Sequence, residues 1–163
     1  MTLAPALRRA PLILAALLLA LPAAAAERWR TVSRVIDGDT IMLDGRERVR
    51  LIGVDTPETV DPRKPVQYFG KEASAFTRRT VEGWRVRLEH GWEKRDRYGR
   101  TLAYVFRADG LFLNAELVRQ GYGHAMTRFP HPHMEEFRAL ERDARERGRG
   151  LWASDDAKGR VPR

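Results

Sequence analysis

The sequence contains no cysteine, and this absence excludes several kinds of linkage and site at once. A chain without cysteine forms no disulfide, binds no metal through thiolate sulfur and carries no lipid-modified N-terminal cysteine. A zinc or iron–sulfur site of the cysteine type is therefore excluded.

Long apolar segments are also scarce. The apolar stretch from Leu12 to Leu21 is too short to span a bilayer comfortably. It follows Arg8 and Arg9 and precedes the small residues Ala23 to Ala26, which is the pattern of a secretory signal peptide. We therefore expect residues 1–26 to be cleaved, leaving a secreted or periplasmic protein that is not attached to a membrane.

Acidic residues are outnumbered by basic ones. The chain has 22 Asp and Glu against 30 Lys and Arg, which gives a formal net charge of +8. A basic exported domain of this kind binds nucleic acid, an anionic envelope surface or no particular partner, and charge alone does not distinguish these. Most of the cations are arginines, and a guanidinium binds a phosphate through two parallel hydrogen bonds.

The sequence after the signal peptide is organised as one domain over residues 27–153, followed by a tail at 154–163 that we expect to be disordered. Asp-Gly turns separate short apolar segments near its start, and no internal repeat is present. The predicted strands are Trp29–Ile36, Thr40–Leu43, Arg48–Val54, Arg85–Glu89 and Thr101–Arg107, and the predicted helices are Tyr68–Glu82, Asn114–Gln120 and His133–Arg147. This order predicts an α+β fold built on a five-stranded Greek-key barrel with three helices.

Acidic residues lie at the ends of the first strands, namely Asp37, Asp39 and Asp55. Each alone is typical of a turn. Asp39 and Asp55, however, lie on neighbouring strands and would meet at one rim of the barrel, where two carboxylates repel each other unless a cation lies between them. Ca²⁺ suits an irregular set of oxygen ligands better than Mg²⁺ does.

Three further residues could act on a phosphate near these acids. Glu58 could orient or deprotonate a water molecule beside the metal. Arg50 and Arg100 could neutralise the charge that builds on the phosphate oxygens during attack. Taken alone, either arginine is more readily interpreted as a solvated strand residue, and the alternative for Glu58 is an ordinary surface glutamate.

The spacing of Arg50 and Asp55 sets a geometric condition. In a straight strand their side chains point to opposite faces, because five residues is an odd separation. A shared site therefore requires a bend or bulge, which we predict at Gly53.

Five segments of the sequence resemble the staphylococcal nuclease family, in the same order and at closely similar spacing. They are Ile36-Asp-Gly-Asp-Thr40, Arg50-Leu-Ile-Gly-Val-Asp-Thr-Pro-Glu58, Glu72-Ala-Ser-Ala-Phe76, Asp96-Arg-Tyr-Gly-Arg100 and Leu117-Val-Arg-Gln-Gly121. The resemblance covers roughly residues 32–152. It implies an oligonucleotide-binding barrel and a Ca²⁺-dependent phosphodiesterase that hydrolyses DNA and RNA, leaving 3′-phosphate ends.

The resemblance also assigns roles residue by residue. It implies that Asp39, Asp55 and the backbone carbonyl of Thr56 bind Ca²⁺. It implies that Glu58 orients or activates the attacking water and that Arg50 and Arg100 bind the phosphate. Tyr98 resembles a tyrosine beside the terminal phosphate of the substrate, and Arg97 stands where the family has a lysine.

The chain departs from the family after Gly121, where two tyrosines normally lie against the nucleotide. Met126 and Arg128 or Phe129 fall near those places. Stacking on a base is worth about 1–3 kcal/mol, so this departure affects substrate binding and base preference more than catalysis.

These observations predict a monomeric nuclease of low base specificity that acts on single-stranded DNA and RNA, with double-stranded DNA left open as a substrate. Two alternatives remain at this stage. One is a barrel that binds nucleic acid without cleaving it, and the other is an envelope module that binds anionic polymer. We further expect the tryptophans in the core or at hinges, and His131-Pro-His133 in an exposed turn.

Overall fold

The computed structural model of the chain describes residues 28–63 and 65–153, which contain seven strands and three α-helices. The strands are β1 Arg30–Asp37, β2 Thr40–Leu43, β3 Glu47–Leu51, β4 Val54–Asp55, β5 Arg85–Arg95, β6 Thr101–Arg107 and β7 His124–Ala125. The helices are α1 Gly70–Val81, α2 Leu113–Arg119 and α3 Met134–Glu146, and a 3₁₀ turn follows at Gly150–Trp152. The predicted signal peptide and the predicted tail lie outside the described residues.

Five strands close into a barrel in the order β1-β2-β3-β6-β5. Neighbouring strands are antiparallel except β3 and β6, which run parallel with Val49 opposite Thr101. β1 and β5 close the ring through the pairs Arg30–Val86 and Thr31–Arg85. The α+β fold with a five-stranded barrel and three helices is therefore confirmed.

Alternation along the strands fills the barrel interior with branched apolar side chains. The fully buried ones include Val32, Ile41, Leu43, Val49, Leu51, Val86 and Val105. On β3, Val49 and Leu51 point inward, so Arg48 and Arg50 between them lie on the outer face. This alternation gives the barrel an apolar core and places arginines on its surface.

The helices pack against the barrel, with α1 against β1, α2 against β6 and α3 against α2. The buried face of α1 is made of small and polar residues, including Ala73, Ser74 and Thr77, which allows the helix to lie close to the Asp37 turn. Helix α3 buries Phe137 and Ala144, and Phe137 belongs to the same core cluster as the barrel interior. The helices therefore support the rim where the predicted acids lie.

Several details differ from the sequence prediction. β5 continues to Arg95, through residues predicted to form a loop, because the strand pairs with β6 again at Arg95, opposite Thr101, after an irregularity between His90 and Arg95. The tryptophans are not all internal: the side chains of Trp84 and Trp92 are exposed.

His131 is buried rather than part of an exposed turn, and its Nδ1 lies 3.1 Å from the hydroxyl of Tyr104. Burial lowers the pKa of His131 and raises the pKa of Tyr104 to about 12.

Among the described residues, no helix combines the length and the apolar character that crossing a membrane requires.

Candidate active site

Arg50 lies between two carboxylates at one rim of the barrel. Its Nη2 donates a hydrogen bond of 2.9 Å to Oδ1 of Asp55, and its Nη1 forms an ion pair with Oδ2 of Asp39. The Arg50 side chain is 12% exposed and that of Asp55 is 59% exposed. The cluster of Asp39, Arg50 and Asp55 is therefore anchored in the protein on one side and open to solvent on the other.

A backbone bend at Gly53 brings Arg50 and Asp55 together. β3 ends at Leu51, Gly53 adopts a φ of 75°, and β4 leaves the barrel to pair with β7. A Cβ atom on Gly53 would also lie only 2.5 Å from Cε1 of His131. The predicted bend is confirmed. Only glycine fits this position, because a residue with a Cβ would be strained at this φ and would collide with His131.

Thr56 fixes the position of the Asp39 carboxylate. The backbone N–H and the hydroxyl of Thr56 each donate to Oδ2 of Asp39 over 2.9 Å. The hydroxyl of Thr40 donates to Oδ1 over 3.0 Å. Asp39 is only 6% exposed, so these bonds hold a nearly buried carboxylate in one orientation. The proximity of Asp39, Asp55 and Thr56 agrees with their predicted grouping.

Asp37, which the sequence indicates only as an acid at a turn, connects three parts of the chain. Its Oδ1 accepts hydrogen bonds from the hydroxyls of Thr59 and Ser74, at 2.6 and 2.9 Å, and from the backbone N–H of Gly38. Burial raises the pKa of Asp37. The clue in the sequence is the hydroxyl residue Ser74 on α1, whose position on the helix faces the Asp37 turn.

Glu58 lies next to Asp37 rather than against Arg50. Burial acts to raise the pKa of Glu58, but the backbone N–H of Val60 and a side-chain hydrogen bond with Asp37 outweigh it, so the pKa is lowered. The backbone N–H groups of Val60 and Asp61 both donate to Oε1 of Glu58. These bonds keep Glu58 ionised at neutral pH, on the loop that follows Asp55.

Arg100 immediately precedes β6, the neighbour of β3, but contacts a different acid. Its Nε donates to Oδ2 of Asp96 over 2.6 Å. Because Val49 pairs with Thr101, Arg100 comes beside the outer face of β3 near Arg48. Arg97 and Tyr98 precede it in an exposed turn, where Arg97 Nη2 donates to the Tyr98 hydroxyl over 2.6 Å. The described residues show no direct contact between Arg100 and Arg50.

The acids at the rim fit a Ca²⁺ ion. Within residues 28–63 and 65–153, no three Asp, Glu or His side chains converge on one point, so the protein offers two carboxylates rather than a closed cage. Asp39 and Asp55 nevertheless already face one shared positive charge, the guanidinium of Arg50. Ca²⁺ accepts carboxylates together with backbone carbonyls and water. The donor set of this rim is of that kind.

The segment that departs from the family pattern also lies beside the rim. The backbone N–H of Met126 donates to the carbonyl of Gly53 over 2.9 Å. Phe129 is 63% exposed, and the guanidinium carbon of Arg128 lies 5.5 Å from its ring centroid. An exposed aromatic ring is thus present in this segment, although it comes from a phenylalanine.

A closed five-stranded barrel flanked by helices, with carboxylates and guanidinium groups at its rim, defines a protein of the oligonucleotide-binding barrel class. A family model described as staphylococcal nuclease homologue matches residues 48–154. The chain belongs to the staphylococcal nuclease family.

Curated relatives include known nucleases. The chain is 48% identical to the thermonuclease of Staphylococcus intermedius over 128 residues, which is 74% of each chain. It is 42% identical to the thermonuclease of Staphylococcus hyicus over 132 residues, or 78% of each chain. Endonuclease YncB of Bacillus subtilis is 35% identical over 129 residues, which cover 76% of this chain and 61% of that protein.

Proposed function

We propose that this protein is a Ca²⁺-dependent phosphodiesterase that hydrolyses DNA and RNA with low base specificity. The observation that carries the proposal is the Arg50 guanidinium held between Asp39 and Asp55 at an open rim of the barrel. A guanidinium that can bind phosphate thus directly contacts two carboxylates that can bind a hard cation. Membership of a family that contains thermonucleases and endonucleases supports the same reaction class.

In this proposal Asp39, Asp55 and the carbonyl of Thr56 hold Ca²⁺, which when bound supplies positive charge that stabilises the phosphate during attack. Thr56 keeps Asp39 in place through its two hydrogen bonds. Because Asp39 is nearly buried and Asp55 is exposed, Asp39 acts as the fixed ligand and Asp55 as the one that adjusts.

Arg50 and Arg100 bind the scissile phosphate. Arg50 donates N–H groups to phosphate oxygens on which negative charge accumulates. Arg100, just before β6, reaches the same phosphate once its hydrogen bond to Asp96 is exchanged for one to the phosphate. A guanidinium suits this task because its planar donors match two phosphate oxygens at once.

Glu58 orients the attacking water and accepts its proton. The water oxygen forms a bond to phosphorus while the bond from phosphorus to the 5′ oxygen breaks. The leaving 5′ oxygen takes up a proton from solvent, Glu58 later returns its proton to solvent, and the products are a 3′-phosphate and a free 5′-hydroxyl. The lowered pKa of Glu58 means that its carboxylate is ready to accept a hydrogen bond from water at neutral pH.

We also propose that the protein is exported and acts as a monomer. Residues 1–26 have the pattern of a signal peptide, and the domain extends from 27 to 153. Mass spectrometry of the protein recovered outside the cytoplasm tests the cleavage site. A mature N-terminus at Glu27 is the expected result. A chain retaining Met1 would contradict cleavage of the signal peptide, and absence of the protein outside the cytoplasm would contradict export.

The chemistry of the product ends tests the proposed reaction. An oligonucleotide labelled at its 5′ end is digested with the mature protein and Ca²⁺, and the fragments are then treated with a phosphatase that acts on 3′-phosphates. We expect every labelled fragment to change mobility, because each carries a 3′-phosphate. Fragments that already end in a 3′-hydroxyl would contradict the proposed bond cleavage. Binding without any cleavage would instead indicate a non-catalytic barrel.

A further inference from the structure

A second basic surface adjoins the rim and is not explained by cleavage alone. A groove of about 480 Å³ lies between the turn that precedes β3 and the hairpin of β5 and β6. We call it the arginine groove, and its principal lining residues are Arg30, Arg46, Arg48, Arg95, Tyr98 and Arg100.

Strand pairing gathers these arginines from distant parts of the sequence. Thr101 on β6 pairs with Val49 on β3 and with Arg95 on β5. Arg48 precedes Val49 and Arg100 precedes Thr101, so these two arginines come side by side where β3 and β6 pair. Adjacent strands are about 4.8 Å apart, which places several guanidinium groups within reach of one ligand.

The arginine groove has more positive charge than its own acid neutralises. Glu47 is the acid in the groove, and the hydroxyl of Thr101 and the guanidinium of Arg30 both bond to it and lower its pKa. Within the described part of the chain, Arg46, Arg48 and Arg95 form no ion pair. Arg95 instead donates to the carbonyl of Gly99 over 3.1 Å. Arg46 and Arg95 interact electrostatically with Asp44 and Glu47, respectively, but five arginines line the groove beside one acid, so a net positive charge remains and favours an anionic ligand.

The groove is continuous with the proposed active site. Arg48 and Arg50 lie two residues apart on the same outer face of β3, a separation of about 6.6 Å along a strand. Arg100 lines the groove and also belongs to the proposed phosphate-binding pair. Tyr98 is 68% exposed at the groove, where a base could stack on its ring.

We propose that the arginine groove binds the sugar-phosphate backbone of a single-stranded polynucleotide adjacent to the scissile phosphate. The direction of the bound strand rests on the proposed function, because the polynucleotide would run from the scissile phosphate at Arg50 past Arg48 towards Arg46. Binding along the arginine groove would make polynucleotides, rather than dinucleotides, the preferred substrates. Contacts to the backbone give affinity without base preference and depend strongly on salt.

The first experiment measures binding without cleavage. A fluorescein-labelled oligothymidylate of 12 nucleotides is titrated in chelator at several salt concentrations, with wild type, an Arg46→Gln/Arg48→Gln variant and an Arg85→Gln/Arg142→Gln control. The control removes the same charge from arginines on β5 and α3 that form no ion pair in the described residues. Thermal melting of all three proteins establishes that they are folded.

Each lost phosphate contact makes the slope of log K against log salt less negative by about 0.7 for a single strand. We therefore expect a change of about 1.4 in the groove variant and no change in the control. Equal slopes in the groove variant and the control would overturn the arginine groove as a binding site, whether or not the protein cleaves DNA.

The second experiment compares cleavage of the same oligothymidylate with cleavage of the dinucleotide TpT in Ca²⁺. We expect the ratio of kcat/KM for the oligonucleotide over the dinucleotide to fall in the groove variant and to stay unchanged in the control. Equal losses on both substrates would overturn the proposal, because Arg46 and Arg48 would then act at the scissile phosphate. If wild type cleaves neither substrate but the groove variant shows the expected change of slope in the binding experiment, the result would overturn the proposed hydrolysis and support the arginine groove as a binding site.

Discussion

Thr56 donates two hydrogen bonds of 2.9 Å to a single oxygen of Asp39, one from its backbone and one from its hydroxyl. Thr56 is therefore both a proposed ligand and the residue that orients another ligand. The side chain of Thr56 also lies close to the Asp37-Gly38 turn, since a Cβ on Gly38 would be 2.6 Å from its Oγ1. The geometry of the Asp39 carboxylate thus depends on a few tightly packed atoms.

Replacing Thr56 by valine removes one of these two bonds and preserves the shape of the side chain. We expect Thr56→Val to lower the Ca²⁺ affinity about tenfold, as loss of a residue that orients a metal ligand does.

The unfolding free energy of Thr56→Val should also fall by about 1 kcal/mol, because one hydrogen bond is lost. Calorimetric Ca²⁺ titration measures the first effect. Thr127→Val, outside the proposed ligand set, provides the control, and an unchanged affinity in Thr56→Val would show that the hydroxyl does not orient Asp39.

The two proposed carboxylate ligands should differ in their effect on stability. Asp39→Asn leaves a largely buried Arg50 without its nearest charge, so we expect a loss of about 1–3 kcal/mol in chelator. Asp55→Asn removes an exposed partner and should cost less than about 1 kcal/mol. Urea unfolding measures both, and both variants should bind Ca²⁺ weakly. Equal stability losses would contradict the distinction between a fixed and an adjustable ligand.

The bend between β3 and β4 should tolerate no residue larger than glycine. Alanine at position 53 would adopt a φ of 75° and meet His131 and Phe137 at 2.5 and 2.8 Å. We expect Gly53→Ala to lower the unfolding free energy by about 2–4 kcal/mol, from strain and overpacking together. Gly45→Ala is the matched control, because Gly45 has a φ of 69° and a Cβ added there would have no neighbour within 4 Å. It should cost about 1–2 kcal/mol, from strain alone.

A loss in Gly53→Ala no larger than in Gly45→Ala would mean that the close contact with His131 relaxes freely. The bend would then be held by backbone conformation alone.

Asp37 makes the stability depend on pH in a direction that can be tested. Burial raises its pKa above the ordinary 3.8, so the folded state keeps this proton to higher pH than the unfolded chain. Its contribution to stability is complete below about pH 4 and is lost as the pH rises through the folded pKa. We therefore expect wild type to lose stability relative to Asp37→Asn as the pH is raised from 4, measured by urea unfolding.

Asp109 provides a control of opposite sign. The Arg107 guanidinium holds the pKa of Asp109 at about 2, so its contribution is present above pH 4 and is lost as the pH falls towards 2. The difference between wild type and Asp109→Asn should therefore shrink on acidification. A stability difference for Asp37→Asn with the same pH trend as for Asp109→Asn would contradict a raised pKa.

Much of the barrel was predictable because its signals are local. The Asp37-Gly38 and Asp44-Gly45 turns separate strands whose apolar alternation reports which face is inside. The odd spacing of Arg50 and Asp55 also predicted a bend, and Gly53 provides it. The predicted end of β5 was wrong because Gly91 to Arg95 is polar and becomes a strand only through pairing with β6.

Contacts between distant segments were not predictable in the same way. The burial of His131 depends on Gly53 and Tyr104, and the role of Asp37 depends on hydroxyls of Thr59 and Ser74. The arginine groove exists because β3 and β6 pair in parallel, and no pattern within either strand indicates that pairing. Sequence spacing determines which face a residue occupies, whereas register between strands decides which residues meet.

Release of acid-soluble nucleotide from single-stranded DNA is the decisive assay for the proposed enzyme. Mature wild type is assayed in Ca²⁺, in Mg²⁺ and in chelator, beside Glu58→Ala and a control, Glu93→Ala, at an exposed glutamate on β5. We expect cleavage that requires Ca²⁺, persists in Glu93→Ala and falls by about 100-fold or more in Glu58→Ala. Cleavage that continues in chelator, or that is equal in the two variants, would contradict a Ca²⁺-dependent mechanism in which Glu58 activates water.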